Sequence, residues 1–144
     1  MGNYSRALIT NSEITLGSCL RDAIRRSKKI RIIAAFIRES GIRLILEDLK
    51  VAVDMGAKVQ ILTGLYLGIT EPSALYLLKL YFGNSIEIRV FRHNDVSFHP
   101  KTYIFEDDQN SEIYIGSSNI SASALESGVE WNYKIAKDES KEVF

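Results

Sequence analysis

The sequence predicts an α/β fold in which one mixed β-sheet is flanked by helices. Three observations predict it. Apolar residues at helical spacing alternate with short β-branched runs up to about residue 91. Beyond that point the helical spacing stops and three strand-like segments follow. The chain has 144 residues, 46% hydrophobic and 25% charged, enough for one ordinary domain with its own core.

The elements follow in order. Ala7 to Thr10 reads as a short strand, and Asn11 or Ser12 as the cap of a helix running to about Ser27. Its buried stripe is Leu16, Cys19, Leu20, Ala23 and Ile24. Ile30 to Phe36 is mostly apolar and β-branched, the mark of a buried strand. Ser40 begins a second helix, with Ile42, Ile45, Leu46, Leu49, Ala52 and Val53 inward and Gly56 as its left-handed cap. Lys58 to Thr63 is a strand, and Thr70-Glu71-Pro72 opens a helix ending near Gly83. Ser85 to Phe91, Lys101 to Phe105, Glu112 to Ile115 and Glu130 to Ala136 complete the strands, with a turn at residues 107–110. In the last strand Trp131, Tyr133 and Ile135 are expected to face the core, and Glu130, Asn132 and Lys134 the other side. No internal repeat is visible.

Composition narrows the class. A single cysteine, Cys19, excludes an intramolecular disulfide framework and every multi-cysteine zinc module. Two histidines and one cysteine offer no recognisable metal-ligand set, and no cofactor is expected. No apolar run approaches the ~18 residues of a membrane span. Met1 to Leu8 lacks the build of a secretory signal, so a cytoplasmic domain without membrane contact is expected. Residues 1–136 form that domain, and the charged stretch 137–144 reads as a linker to a further region. Zero net charge hides an asymmetry: residues 21–50 carry nine basic and four acidic side chains, residues 101–144 four basic and nine acidic. The basic segment is either a polyanion footprint or a set of solvated helix-end charges.

Three small constellations could carry chemistry. His99-Pro100-Lys101 places an imidazole and an ammonium two residues apart, on one side of an extended segment. A phosphate-sized anion could meet both, although such a pair is also ordinary surface composition. Gly116-Ser117-Ser118-Asn119 follows a strand and offers a hydroxyl and an amide at the same spacing, with Gly116 allowing close backbone approach. By itself this is a common strand-to-helix turn. Glu130 supplies a carboxylate that could fix the tautomer of an imidazole, or simply face solvent. His93 has no lysine two positions on, since position 95 is Asp95.

Taken together, His99-x-Lys101, Gly116-Ser117-x-Asn119 and Glu130 resemble, in order and kind, the active-site motif of the phospholipase D superfamily. The likeness is greatest to its small bacterial nucleases and to the catalytic domains of metal-independent restriction enzymes. Two departures stand out: Glu106 replaces the aspartate usual five residues after the lysine, and the gap from Glu106 to Gly116 is a few residues longer.

The resemblance implies a phospholipase D-like domain carrying a single motif, and metal-free phosphodiester cleavage through a covalent phosphohistidine. His99 would be the nucleophile and Glu130 its orienting partner. Lys101, Ser117 and Asn119 would bind phosphoryl oxygens, while Glu106 and Gly116 would support the site. The mechanism needs two histidines and the chain has one motif, so a homodimer sharing one active site is expected. The substrate implied is nucleic acid, DNA ahead of RNA, and the setting a restriction or helicase-linked protein. The alternatives are a catalytically silent nucleic-acid-binding or dimerisation module and, ranking lower, a phospholipid hydrolase.

Overall fold

The computed structural model describes residues 7–93 and 95–137. The expected linker therefore lies, beyond Lys137, outside the described residues. The strands are β1 (Leu8–Ile9), β2 (Lys29–Ala34), β3 (Lys58–Gly64), β4 (Ile86–Phe91), β5 (Lys101–Glu106), β6 (Glu112–Gly116) and β7 (Asn132–Ala136). The helices are α1 (Leu16–Arg26), α2 (Glu39–Asp54) and α3 (Pro72–Phe82). Among the described residues the strands form one mixed sheet in the order β1-β7-β6-β5-β2-β3-β4. The β2–β3 and β3–β4 pairs are parallel, joined by the crossover helices α2 and α3. The β5–β2, β5–β6, β6–β7 and β1–β7 pairs are antiparallel.

All three helices pack on one face of this sheet. From the strands Ile30, Ile32, Val59, Ile61, Tyr103 and Phe105 are buried there. Leu16, Leu20 and Ile24 of α1 and Ile42, Ile45 and Leu49 of α2 meet them, each at one-turn spacing. The opposite face carries Arg31, Ile33, Gln60, Leu62 and Ile104, none of them fully buried.

Local signals explain most element ends, with two differences from expectation. The first helix starts at Leu16 rather than after Asn11 or Ser12, because Thr15 takes the cap: its Oγ1 accepts from the Ser18 N–H at 3.1 Å. Asn11 still serves that end, its Oδ1 accepting from the Leu16 N–H at 2.8 Å from a left-handed backbone (φ 64°). Gly56 does take the left-handed conformation after α2, with φ 91°.

The second difference concerns β7. Its alternation is as expected but its sides are reversed: Trp131 is 66% and Tyr133 52% exposed, while Asn132 is 1% exposed. The helix-side interior here is polar. Asn132 Nδ2 donates to Ser118 Oγ at 2.8 Å, and Lys134 pairs with Glu112 at 3.1 Å. Register puts Asn132 opposite Gly116 and Lys134 opposite Tyr114, so the aromatic residues turn to the face that no described helix covers.

Candidate active site

One end of the sheet gathers the carboxyl ends of β2, β3, β4 and β6 and the amino ends of β5 and β7. In α/β sheets ligands bind outside the carboxyl ends of parallel strands. Here the chain holds two loops together by backbone pairing. Ile37 and Ile120 form a parallel bridge, the Arg38 N–H donates to Ile120 O at 2.8 Å, and the Ile120 N–H donates to Phe36 O at 3.2 Å. Gly41 is needed for this approach, because a Cβ there would lie 2.4 Å from the Ile120 carbonyl carbon.

That clamp places Asn119. Its Oδ1 accepts from the Phe36 N–H at 2.9 Å, which orients the amide so that Nδ2 is left as a donor. Phe36 in turn meets His99 edge-on, with ring centroids 6.0 Å apart. Tyr66, from the loop after β3, meets the same imidazole edge-on at 5.2 Å. His99 is exposed beyond these contacts. Lys101 opens β5, half-buried, opposite Ala34.

Ser117 leaves β6 at the same end. Its hydroxyl donates to the Glu130 carboxylate and accepts from the Trp131 N–H at 3.0 Å. A Cβ at Gly116 would lie 2.2 Å from Trp131 O, so only glycine lets β7 come this close. Beneath them the buried Tyr103 hydroxyl donates to Ser118 O at 2.8 Å. Burial pushes the Tyr103 phenol far above its ordinary range, and the nearby Glu130 charge adds to the shift.

The structure thus brings His99, Lys101, Ser117, Asn119 and Glu130 to one end of the sheet. Among the described residues Glu130 is engaged by Ser117, and a carboxylate–imidazole hydrogen bond to His99 is not formed. Glu106 lies at the opposite end of β5, paired with Arg31. That pairing ties β5 to β2, at the far end of the strand from Lys101. Phe36 and Tyr66 escaped the sequence reading. Phe36 looked like a strand residue, and the loop of Tyr66 had no motif beyond its place after a strand.

The fold and a family match over most of the chain place it in the phospholipase D superfamily. The sequence model of the family described as "Cardiolipin synthase, PLD-like domain" matches residues 20–144, and the chain belongs to that family. No curated protein matches the sequence. Among solved structures, the fold is similar to Nuc from Salmonella typhimurium, described as a phospholipase D family member. The TM-score is 0.68 and the identity 21%, over 90% of this chain and 80% of that one. NucT from Helicobacter pylori gives a TM-score of 0.60 and 18% identity, over 81% of this chain and 74% of that one. Phosphatidylserine synthase from Haemophilus influenzae gives 0.65 and 18%, over 89% of this chain but only 33% of that one. Among the described residues, no helix is long and apolar enough to cross a membrane.

Proposed function

We propose that this domain cleaves phosphodiester bonds in nucleic acid, DNA before RNA, without a metal and as a homodimer with one shared site. The observation that carries the reading is the convergence of His99, Lys101, Ser117, Asn119 and Glu130 at the loop end of the sheet. The nucleic-acid assignment is supported by extent. The chain spans most of Nuc and NucT but a third of the synthase.

In the first step a neutral His99 imidazole attacks phosphorus, and the bond from phosphorus to the leaving oxygen breaks. The partner copy's imidazolium gives that oxygen its proton. In the second step the same partner imidazole takes a proton from water. The water oxygen attacks phosphorus, and the bond to His99 breaks, releasing a phosphate monoester. Lys101, Asn119 Nδ2 and Ser117 hold the non-bridging oxygens as charge develops. Glu130 orients His99 once the site is assembled, exchanging its bond to Ser117 for one to the imidazole. The chain serves as the nuclease module of a restriction or helicase-linked protein.

A second copy has a surface to meet. Leu8, Ile115, Val129, Trp131 and Tyr133 are exposed apolar side chains on or beside β1, β6 and β7, next to Ser117 and Glu130. An isologous contact there joins two sites.

Incubation with single- and double-stranded DNA in EDTA, with His99→Ala alongside, tests the reading. Cleavage by the parent protein only is expected. Activity that appears solely with added Mg²⁺ or Mn²⁺ overturns it. Mixing active and His99→Ala chains tests sharing: activity should fall faster than the active fraction, and a linear fall means that each chain works alone.

A further inference from the structure

Beside His99 lies a pocket of about 580 Å³, lined by Leu65, Tyr66, Leu67, Phe91, Arg92 and His93. That volume is within the usual range for a small-molecule subsite. Tyr66 belongs to both places, lining the pocket while its ring meets His99 at 5.2 Å. The pocket thus adjoins the site of phosphoryl chemistry.

Two of its lining rings, Phe91 and His93, belong to a stack that Phe98 backs from outside the pocket. Phe91 stacks on Phe98 with centroids 4.8 Å apart and planes at 19°, and His93 stacks on Phe91 at 6.3 Å and 27°. Gly64 makes this possible, since a Cβ there would lie 2.8 Å from Phe98 Cδ1. The ladder ends in an exposed imidazole beside an exposed guanidinium, His93 and Arg92. Among the described residues no carboxylate pairs with Arg92. The opposite wall is the short loop after β3, pinned where Thr70 Oγ1 donates to Gly64 O at 2.8 Å. In that loop Leu67 sits at φ 60°, a left-handed conformation costly for leucine, with its side chain 69% exposed. Strain that presents an apolar side chain to an open pocket suits a surface completed by a ligand.

From this arrangement we infer that the pocket holds an unpaired nucleobase next to the scissile phosphate, making single-stranded nucleic acid the preferred substrate. The inference rests on the nuclease reading and narrows its substrate. Flat rings offer a stacking face that suits any base, and Arg92 answers a neighbouring phosphate. A base held within a duplex cannot present its face to this wall. An acyl chain would gain nothing from Arg92 and His93.

The test uses His99→Ala protein in EDTA, which binds without cutting, and fluorescence anisotropy. The probes are a labelled single-stranded DNA octamer, the same backbone with abasic sites throughout, and the octamer duplex. The normal strand should bind about tenfold more tightly than the abasic strand and more tightly than the duplex. Adding His93→Ala should remove most of the gap between normal and abasic strands by weakening the normal strand alone. Equal binding of normal and abasic strands overturns the inference, as does equal weakening of both by His93→Ala. Tighter binding to the duplex also overturns it, as does binding only to phosphatidylglycerol vesicles. If the parent protein cleaves strands in EDTA while normal and abasic strands bind alike, the pocket assignment alone falls. If no strand is bound or cleaved, the nuclease reading falls with it.

Discussion

Toward the end of the sheet where β2 begins and β5 finishes, and between the helices α1 and α2 that pack beside it, cations and carboxylates neutralise one another. Arg21 and Arg25 share the buried Asp48, Arg26 and Lys134 share the buried Glu112, Lys28 meets Asp108, and Arg31 meets Glu106. At the opposite end His99 touches rings, Lys101 opens a strand, and Asn119 keeps a donor in reserve. The contrast assigns the charge asymmetry of the sequence. Most of the cations paired at the first end come from residues 21–50, and they are largely answered by acids from 101–144. That part of the basic segment stabilises the fold, leaving the loop end to meet an anion.

The largest effect should come from removing the imidazole at the loop end. His99→Ala is expected to lower turnover by at least about 10⁴-fold, as loss of a nucleophile does, with an unchanged melting temperature. A loss of only a few fold would deny the loop end its role. Next is assembly. Trp131→Asp puts a charge into the apolar strip beside Ser117 and should convert the proposed dimer to monomer in light scattering at micromolar concentration. Turnover should fall with the dimer, and an active monomer would separate the strip from the site.

The ion-paired end should respond in stability alone. Asp48→Asn removes the charge between two arginines that are each 50% exposed and can return to water. The cost is therefore about 2 kcal/mol, well below that of stranding a fully buried charge, or roughly 6 °C in melting temperature. Turnover per folded molecule should not change. A loss of activity without a loss of stability would reverse the assignment of the two ends.

How much of this was legible depended on whether a property was local. The helix stripes and the succession of helices and strands along the chain followed from spacing, because each element buries a face that its own sequence marks. The order of strands within the sheet did not follow from it. The candidate site was legible as a motif, since His99, Lys101, Gly116, Ser117 and Asn119 lie in two short runs. Asp48 was not legible. It sits on the core-facing side of α2, and only the crossing of α1 brings Arg21 and Arg25 over it. The facing of β7 failed for a related reason. Hydrophobic alternation cannot say which face the helices cover, and the partners of Asn132 and Lys134 come from β6 and the turn after it. Phe36 and Tyr66 needed the tertiary fold, which alone brings their loops to His99.

The last predicted effect, a titration that is absent at neutral pH, concerns two buried phenols, one serving each end. Tyr103 donates to Ser118 O at the site end, and Tyr114 donates to Glu112 at 2.8 Å at the ion-paired end. Burial raises both above the ordinary value of 10.0, and the nearby Glu130 and Glu112 charges act in the same direction. Cys19 is raised above 9.0, again chiefly by burial. For such groups the unfolded chain releases its proton first. Their stabilisation is complete below the unfolded values and is lost as pH rises past them. Stability should therefore hold through neutral pH and begin to fall near pH 9. Above about pH 10 it should fall by about 1.4 kcal/mol per pH unit for each phenol. Urea unfolding between pH 8 and 11 measures the slope. Tyr103→Phe and Tyr114→Phe should each remove one phenol's share. The second should cost more at neutral pH, because its bond is to a charged acceptor. If both variants keep the full alkaline slope, the phenols are not its source.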